Sequence, residues 1–241
     1  MAKKSGRPAP GKRPSGGRGK PAVKKAAPAK RPSGKKAAPA EAIDETPRTF
    51  RLGAIPGATP GKWIDAWKSR MPHVTLELVP IEVAEERTAL ADLDAALVRL
   101  PIDRPDDLHV IRLYDELPVV VASDDSHLMA AETLTAADLD GEVLVTPLDD
   151  VLGPLALSTV APRFAPVATT EDAIATVATG TGIVVVPMSL ARLHHRKDAD
   201  HRVLEGGPTS TVALAWPRER TTPDVEAFVG IVRGRTANSS R

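Results

Sequence analysis

The chain of 241 residues contains no cysteine. Disulfides, thiolate nucleophiles, thiolate zinc sites and iron–sulfur clusters are therefore excluded, and the composition fits a cytoplasmic protein. Aromatic residues make up 3% of the chain, so its core must be built mainly from small aliphatic side chains. No run approaches the roughly eighteen apolar residues of a spanning helix, which excludes an integral helical membrane protein. No secretory signal is present either, because no apolar segment follows the N-terminal charges. Acid is missing from one end: residues 1–40 hold 13 Lys and Arg and not one Asp or Glu. Residues 41–241 then hold 19 basic against 31 acidic residues, a net of −12, and the overall +1 describes neither part.

What the first 48 residues do contain is Lys, Ala, Pro and Gly. Two phrases recur, "KRPSG" at 12–16 and 30–34 and "KKAAPA" at 24–29 and 35–40, at unequal spacings that mark low complexity rather than a structural repeat. So little apolar surface cannot offset the entropy of ordering, and the segment is expected to be a disordered basic N-terminal tail. Its cations are Lys3, Lys4, Arg7, Lys12, Arg13, Arg18, Lys20, Lys24, Lys25, Lys30, Arg31, Lys35 and Lys36. Spaced along an extended chain, they suit non-specific contact with nucleic acid, whose counterions are released when phosphates are neutralised. A solubilising tail is the alternative.

The remainder reads as α/β. "FRLGAIP" (50–56), "VTLELVPIE" (74–82) and "DAALVRLP" (94–101) are expected strands, separated by helices that begin near Pro60 and at "AEERTALADL". Trp63, Ile64 and Trp67 share a face of the first helix, as core or dimer surface. "LHVIRLYDELPVVVAS" (108–123) is a long apolar run interrupted by Pro118, which a central strand tolerates poorly. "VLVTP" (143–147) reads as a strand and 148–166 as irregular. "TVALAWP" (211–217) is a strand, and "TPDVEAFVGIVRGR" (222–235) an amphipathic helix.

The stretch "ATVATGTGIVVVPMSL" (175–190) runs helix, two glycines, strand. A dinucleotide fingerprint runs the other way, from strand through glycines to helix. Gly180 is therefore expected to stop a helix in the left-handed conformation, and Gly182 to turn the chain into the strand. "GATPGKW" fails as a P-loop, since only three residues separate Gly57 and Gly61 and Trp63 follows Lys62.

"FRLGAIPGATPGKW", "ADLDAALVRLP", "LYDELPVVVASDDSHLMA", "LTAADLDGEVLV" and "VATGTGIVVVPMSLARL" occur in that order and together resemble the effector-binding domain of LysR-type transcriptional regulators. The resemblance implies a two-lobed type 2 periplasmic-binding-protein-like fold over 49–241. Lobe I would be 49–115 and 188–241, lobe II 120–186, with crossings near 112–122 and 184–189 and a ligand in the cleft. It also implies a homodimer. Three departures stand out. The helix-turn-helix that opens these regulators is replaced here by the basic tail, segment 148–166 is short and carries Gly153-Pro154 where the family tends to have a longer helix, and Gly57 stands where the family often has Ser or Thr.

Candidate ligand contacts follow. Gly57, Thr59 and Lys62 surround the start of the first helix, whose free amides favour an anion; an ordinary turn is the alternative. Arg99 ends the third strand, placed either to grip a carboxylate or to form a surface salt bridge. Thr146, Thr169 and Thr170 would face the cleft from lobe II, as ligand contacts or as capping hydroxyls. His194 and His195 are adjacent on a helix end and diverge by about 100°, so they do not make a metal pair with His201. No metal, cofactor or nucleophile–His–acid set is expected. The expected function is a non-enzymatic sensor of a small anionic effector, placed in the cytoplasm or on the nucleoid. A nucleoid-associated structural protein with a vestigial ligand domain, or an enzyme on the same fold, are the other readings.

Overall fold

The computed structural model describes residues 46–234. The basic tail and its thirteen cations lie outside the described residues.

Nine strands and five helices follow one another as β1 (Arg48–Ala54), α1 (Gly61–Arg70), β2 (Val74–Pro80), α2 (Glu86–Ala89), β3 (Ala95–Leu100), β4 (Leu108–Glu116), β5 (Pro118–Ser123), β6 (Thr133–Leu134), α3 (Thr170–Val177), β7 (Val184–Pro187), α4 (Met188–Leu193), β8 (Ala199–Leu204), β9 (Ser210–Pro217) and α5 (Pro223–Val232) among the described residues. They form two sheets, ordered β2-β1-β3-β9-β4 and β6-β8-β5-β7. β1 pairs in parallel with β2 and β3, as the strand–helix–strand order requires, and β9 runs antiparallel between β3 and β4.

Alternation along each strand feeds a core on either side of the first sheet. Leu97 joins Phe50, Leu52, Trp67, Leu214 and Phe228 on one face; Ala96 and Val98 join Leu90, Leu93, Ala213 and Ala215 on the other. The few aromatics are concentrated rather than scattered. Phe50 stacks on Trp67 at 4.7 Å, and both meet Phe228 from α5. Trp67 is fully buried and its Nε1 donates to the Val74 carbonyl at 2.9 Å, so it is a core residue. The second sheet is flanked likewise, by Ala173, Ile174, Val177 and Leu190 on one face and Leu128, Leu134, Leu139 and Leu204 on the other.

Pro118 marks a passage between sheets. β4 closes the edge of the first sheet and β5 lies inside the second, with Leu117 alone between them. Two expectations need correction. The chain does not return to the first sheet near 184–189: β8 pairs with β5 and β6, so residues up to 204 belong to the second sheet and 205–209 make the return. Segment 143–147 is no strand. It holds isolated bridges, Val143 with Val160 and Leu144 with Ile183, in an otherwise irregular stretch.

The glycines of the 175–190 stretch behave as turn chemistry dictates. Gly180 has φ +81° just beyond α3. Gly182 has φ +152°, and a Cβ there would lie 2.2 Å from the Val143 carbonyl oxygen, which accepts the next N–H. No helix among the described residues is long and apolar enough to cross a membrane.

Candidate functional site

Arg99 sits at the C-terminal end of β3, the end at which α/β sheets present residues to ligands. It is neither a free fork nor a surface bridge, the two expectations from sequence. At 3% exposure it is buried, with Nη1 donating to Glu116 Oε2 at 2.5 Å and to Ser210 Oγ at 2.7 Å. Nη2 reaches the Pro56 carbonyl at 3.3 Å and Ser189 Oγ at 3.2 Å. Ser189 lies on α4, whose Leu190 and Ala191 pack into the second sheet's core. One guanidinium thus joins β3, the end of β4, the start of β9 and a helix of the second half.

Beside this junction lies a cavity of about 530 Å³. Gly57, Ala58 and Thr59 contribute from the turn before α1, Tyr114–Leu117 from the end of β4 and the crossing, and Met188, Ser189, Arg192 and Leu193 from α4. Asp115 lines it but is engaged, accepting from Thr211 Oγ1 and from Arg112. These contacts, that with Thr211 first, hold its carboxyl below the usual range. Burial raises the phenol of Tyr114, aided by the Glu116 charge. Arg192 is exposed and makes no hydrogen bond or salt bridge among the described residues.

Gly57 has φ +82°, and an added Cβ would meet Ser189 Oγ at 2.5 Å. The space that a Ser or Thr at 57 would need is therefore filled by the α4 hydroxyl. Of the other expected contacts, Thr59 lines the cavity, whereas Lys62 projects from α1 as an exposed side chain outside it. Thr146 lines a separate pocket of about 230 Å³ with Leu144, Asp150 and Val185. Thr169 caps α3, accepting the Asp172 N–H, and buried Thr170 donates to Asp149 at 2.9 Å. The structure thus gathers Gly57 and Thr59, sets Arg99 behind them, and places the three threonines elsewhere.

The sequence reading missed Glu116, Ser189 and Arg192. A cation ending β3 needs a carboxylate, and the acids beside Pro118 were candidates for that role. Nothing in the local pattern of α4 distinguished its serine and arginine.

Residues 44–237 match the family model for the LysR substrate binding domain. The chain belongs to that family. Among LysR-type relatives, the Hca operon transcriptional activator HcaR of Escherichia coli strain K12 is 26% identical over 215 residues, covering 83% of this chain and 72% of that protein. The fold is shared with the effector-binding domain of BenM bound to its effector benzoate (TM-score 0.63, 18% identity, 78% of this chain and 92% of that one). It is shared also with the reduced OxyR regulatory domain from Pseudomonas aeruginosa (TM-score 0.59, 22% identity, 78% and 98%). The two sheets and their crossings are therefore those of a LysR effector-binding domain of the type 2 periplasmic-binding fold.

Proposed function

We propose that this LysR-family chain is a non-enzymatic cytoplasmic regulator that senses a small organic anion in the cavity beside Arg99 that Thr59 and Arg192 line. The observation that carries this reading is the cavity itself. Its volume of about 530 Å³ is in the range of small-molecule sites, and its walls come from both halves, so a guest has contacts that differ between open and closed arrangements. Arg192 supplies a cation with no committed partner, Thr59 a hydroxyl, and Met188, Leu193 and Leu117 an apolar body. A carboxylate on a compact hydrocarbon or aromatic frame fits that mixture. Closure of the halves on the guest is the output, passed on through a homodimer.

Residues 1–40, with 13 cations and no acid, then anchor the regulator to nucleic acid without reading sequence.

The test is a thermal-shift screen of the full chain against aromatic and aliphatic carboxylates, beginning with benzoate, the effector named for BenM. A binding acid raises the melting temperature, and Arg192→Ala weakens the response. A screen in which no carboxylate shifts the transition would overturn the assignment. For the tail, DNA affinity should fall steeply with salt in the full chain and be lost without residues 1–43; retention would refute it.

A further inference from the structure

The chain returns from the second sheet to the first through residues 205–209, and beside the start of that link lies a groove of about 350 Å³. Residues 154–157 and 204–208 line it, together with Ala136. Leu155 and Leu157 pack against the cluster that contains Leu204, so the groove rests on the apolar core of the second sheet. It shares no lining residue with the cavity beside Arg99.

Glu205 is the only charged side chain in the lining. It is exposed, and its carboxylate makes no hydrogen bond or salt bridge among the described residues. Asp138, in the same one-turn helix as Ala136, is by contrast committed, accepting from both the N–H and the hydroxyl of Thr135 at 2.7 Å. The backbone that carries Glu205 is tied down. Its N–H donates to the Leu134 carbonyl at 2.7 Å, and the Gly207 N–H closes a turn on the Leu204 carbonyl at 3.3 Å. Gly206 supplies φ +73° at the third position of that turn, where a type II turn requires a positive value. The turn is seated on the first crossing, since a Cβ on Gly207 would lie 2.8 Å from Pro118 Cγ. A lone exposed carboxylate attracts any cation weakly. One set beside an apolar groove favours a cation that brings hydrocarbon with it.

We propose that this groove takes a small amphiphilic amine, its ammonium paired with Glu205 and its hydrocarbon or aromatic body laid against Leu155, Leu157 and Leu204. The volume lies at the lower end of the range for small-molecule sites, which suits a single ring or a short chain. An organic anion is the wrong guest, because the lining offers it a carboxylate and no cation. The site differs from the cavity beside Arg99 in position, in charge and in every side chain, so the assignment does not depend on the reading of that cavity.

The experiment uses the full chain with phenethylamine hydrochloride as probe, near neutral pH where an alkylamine is protonated. Phenethyl alcohol supplies the same body without the charge, and ammonium chloride the charge without the body, all at equal ionic strength. The amine should raise the melting temperature in a saturable way, and each control should do clearly less. Glu205→Gln should weaken the apparent amine affinity by about tenfold or more, as expected for loss of a charge-assisted contact. Ala156→Trp, which fills the groove and leaves Glu205 in place, should abolish the response; Ala136→Phe does the same from the other segment if the first variant does not fold. Arg192→Ala should leave the amine response intact. A wild-type transition indifferent to the amine, an equal response to the alcohol, or an amine response unchanged in Glu205→Gln or in a folded groove-filling variant would each overturn the proposal. A benzoate response lost in Arg192→Ala, alongside no amine response, would sink this inference and keep the regulator reading. An amine response with no response to any carboxylate would do the opposite.

Discussion

Arg99 and Glu116 form a buried ion pair between the end of β3 and the end of β4, their nearest atoms 2.5 Å apart. Neither strand neighbours the other, because β9 runs between them, so the pair spans a strand and holds the C-terminal corner of the first sheet to the crossing. Removing one partner strands the other charge away from water. Arg99→Met or Glu116→Leu alone should each lower stability by about 3–5 kcal/mol in urea denaturation. The double replacement should cost clearly less than the sum of the two. Simple additivity would show that the pair is not energetically coupled.

Gly57→Ala places a methyl against Ser189 Oγ and imposes a left-handed backbone on a residue with a side chain. A loss of about 1–2 kcal/mol from the backbone alone is expected, with a further loss from the clash. Ser189→Gly removes the clash but not the backbone cost, so the double variant should recover part of the stability. Equal stability of Gly57→Ala and the double variant would show that the two residues do not compete for space.

Glu86 makes stability fall as pH rises. Its folded pKa, about 7, lies above the ordinary 4.5, so the native state keeps a proton that the unfolded chain has lost. The penalty is absent below the unfolded value, grows between pH 4.5 and about 7, and is fully developed above that. Its ceiling is roughly 3 kcal/mol. Glu86→Gln should flatten this limb of the stability curve, measured by urea midpoints across pH 4–9. An unchanged slope would mean that Glu86 titrates normally.

Much of the fold was legible because it rests on local signals. The strand–helix alternation over 50–101, the awkward Pro118 and the glycines at 180 and 182 each have one physical reading, and each sits where that reading puts it. β8 was not legible. Asp200, His201 and Arg202 interrupt its apolar pattern, and it is a strand because β5 and β6 flank it, not because its residues prefer one. Segment 143–147 erred in the other direction: its apolar run is only partly buried, with Val145 in the core, and it pairs only in single bridges.

The site was partly legible. Turn residues Gly57 and Thr59 announce themselves by spacing and by following a strand, whereas the partner of Arg99 lies 17 residues away and Ser189 lies 90 away. Such pairings depend on how the sheets meet. Thr169 showed the converse, since a hydroxyl at a helix start serves the backbone as readily as a guest, and Thr170 is taken up by the Asp149 side chain.

The connections between the sheets are unequal: Leu117 alone on one side, residues 205–209 on the other. A one-residue link leaves few rotatable bonds, while five residues give slack. Any tilting of one sheet against the other must therefore pivot at the taut side. That axle sits beside Glu116, so whatever loosens the grip of Arg99 acts on the short arm of a lever whose long arm is the far rim of each sheet.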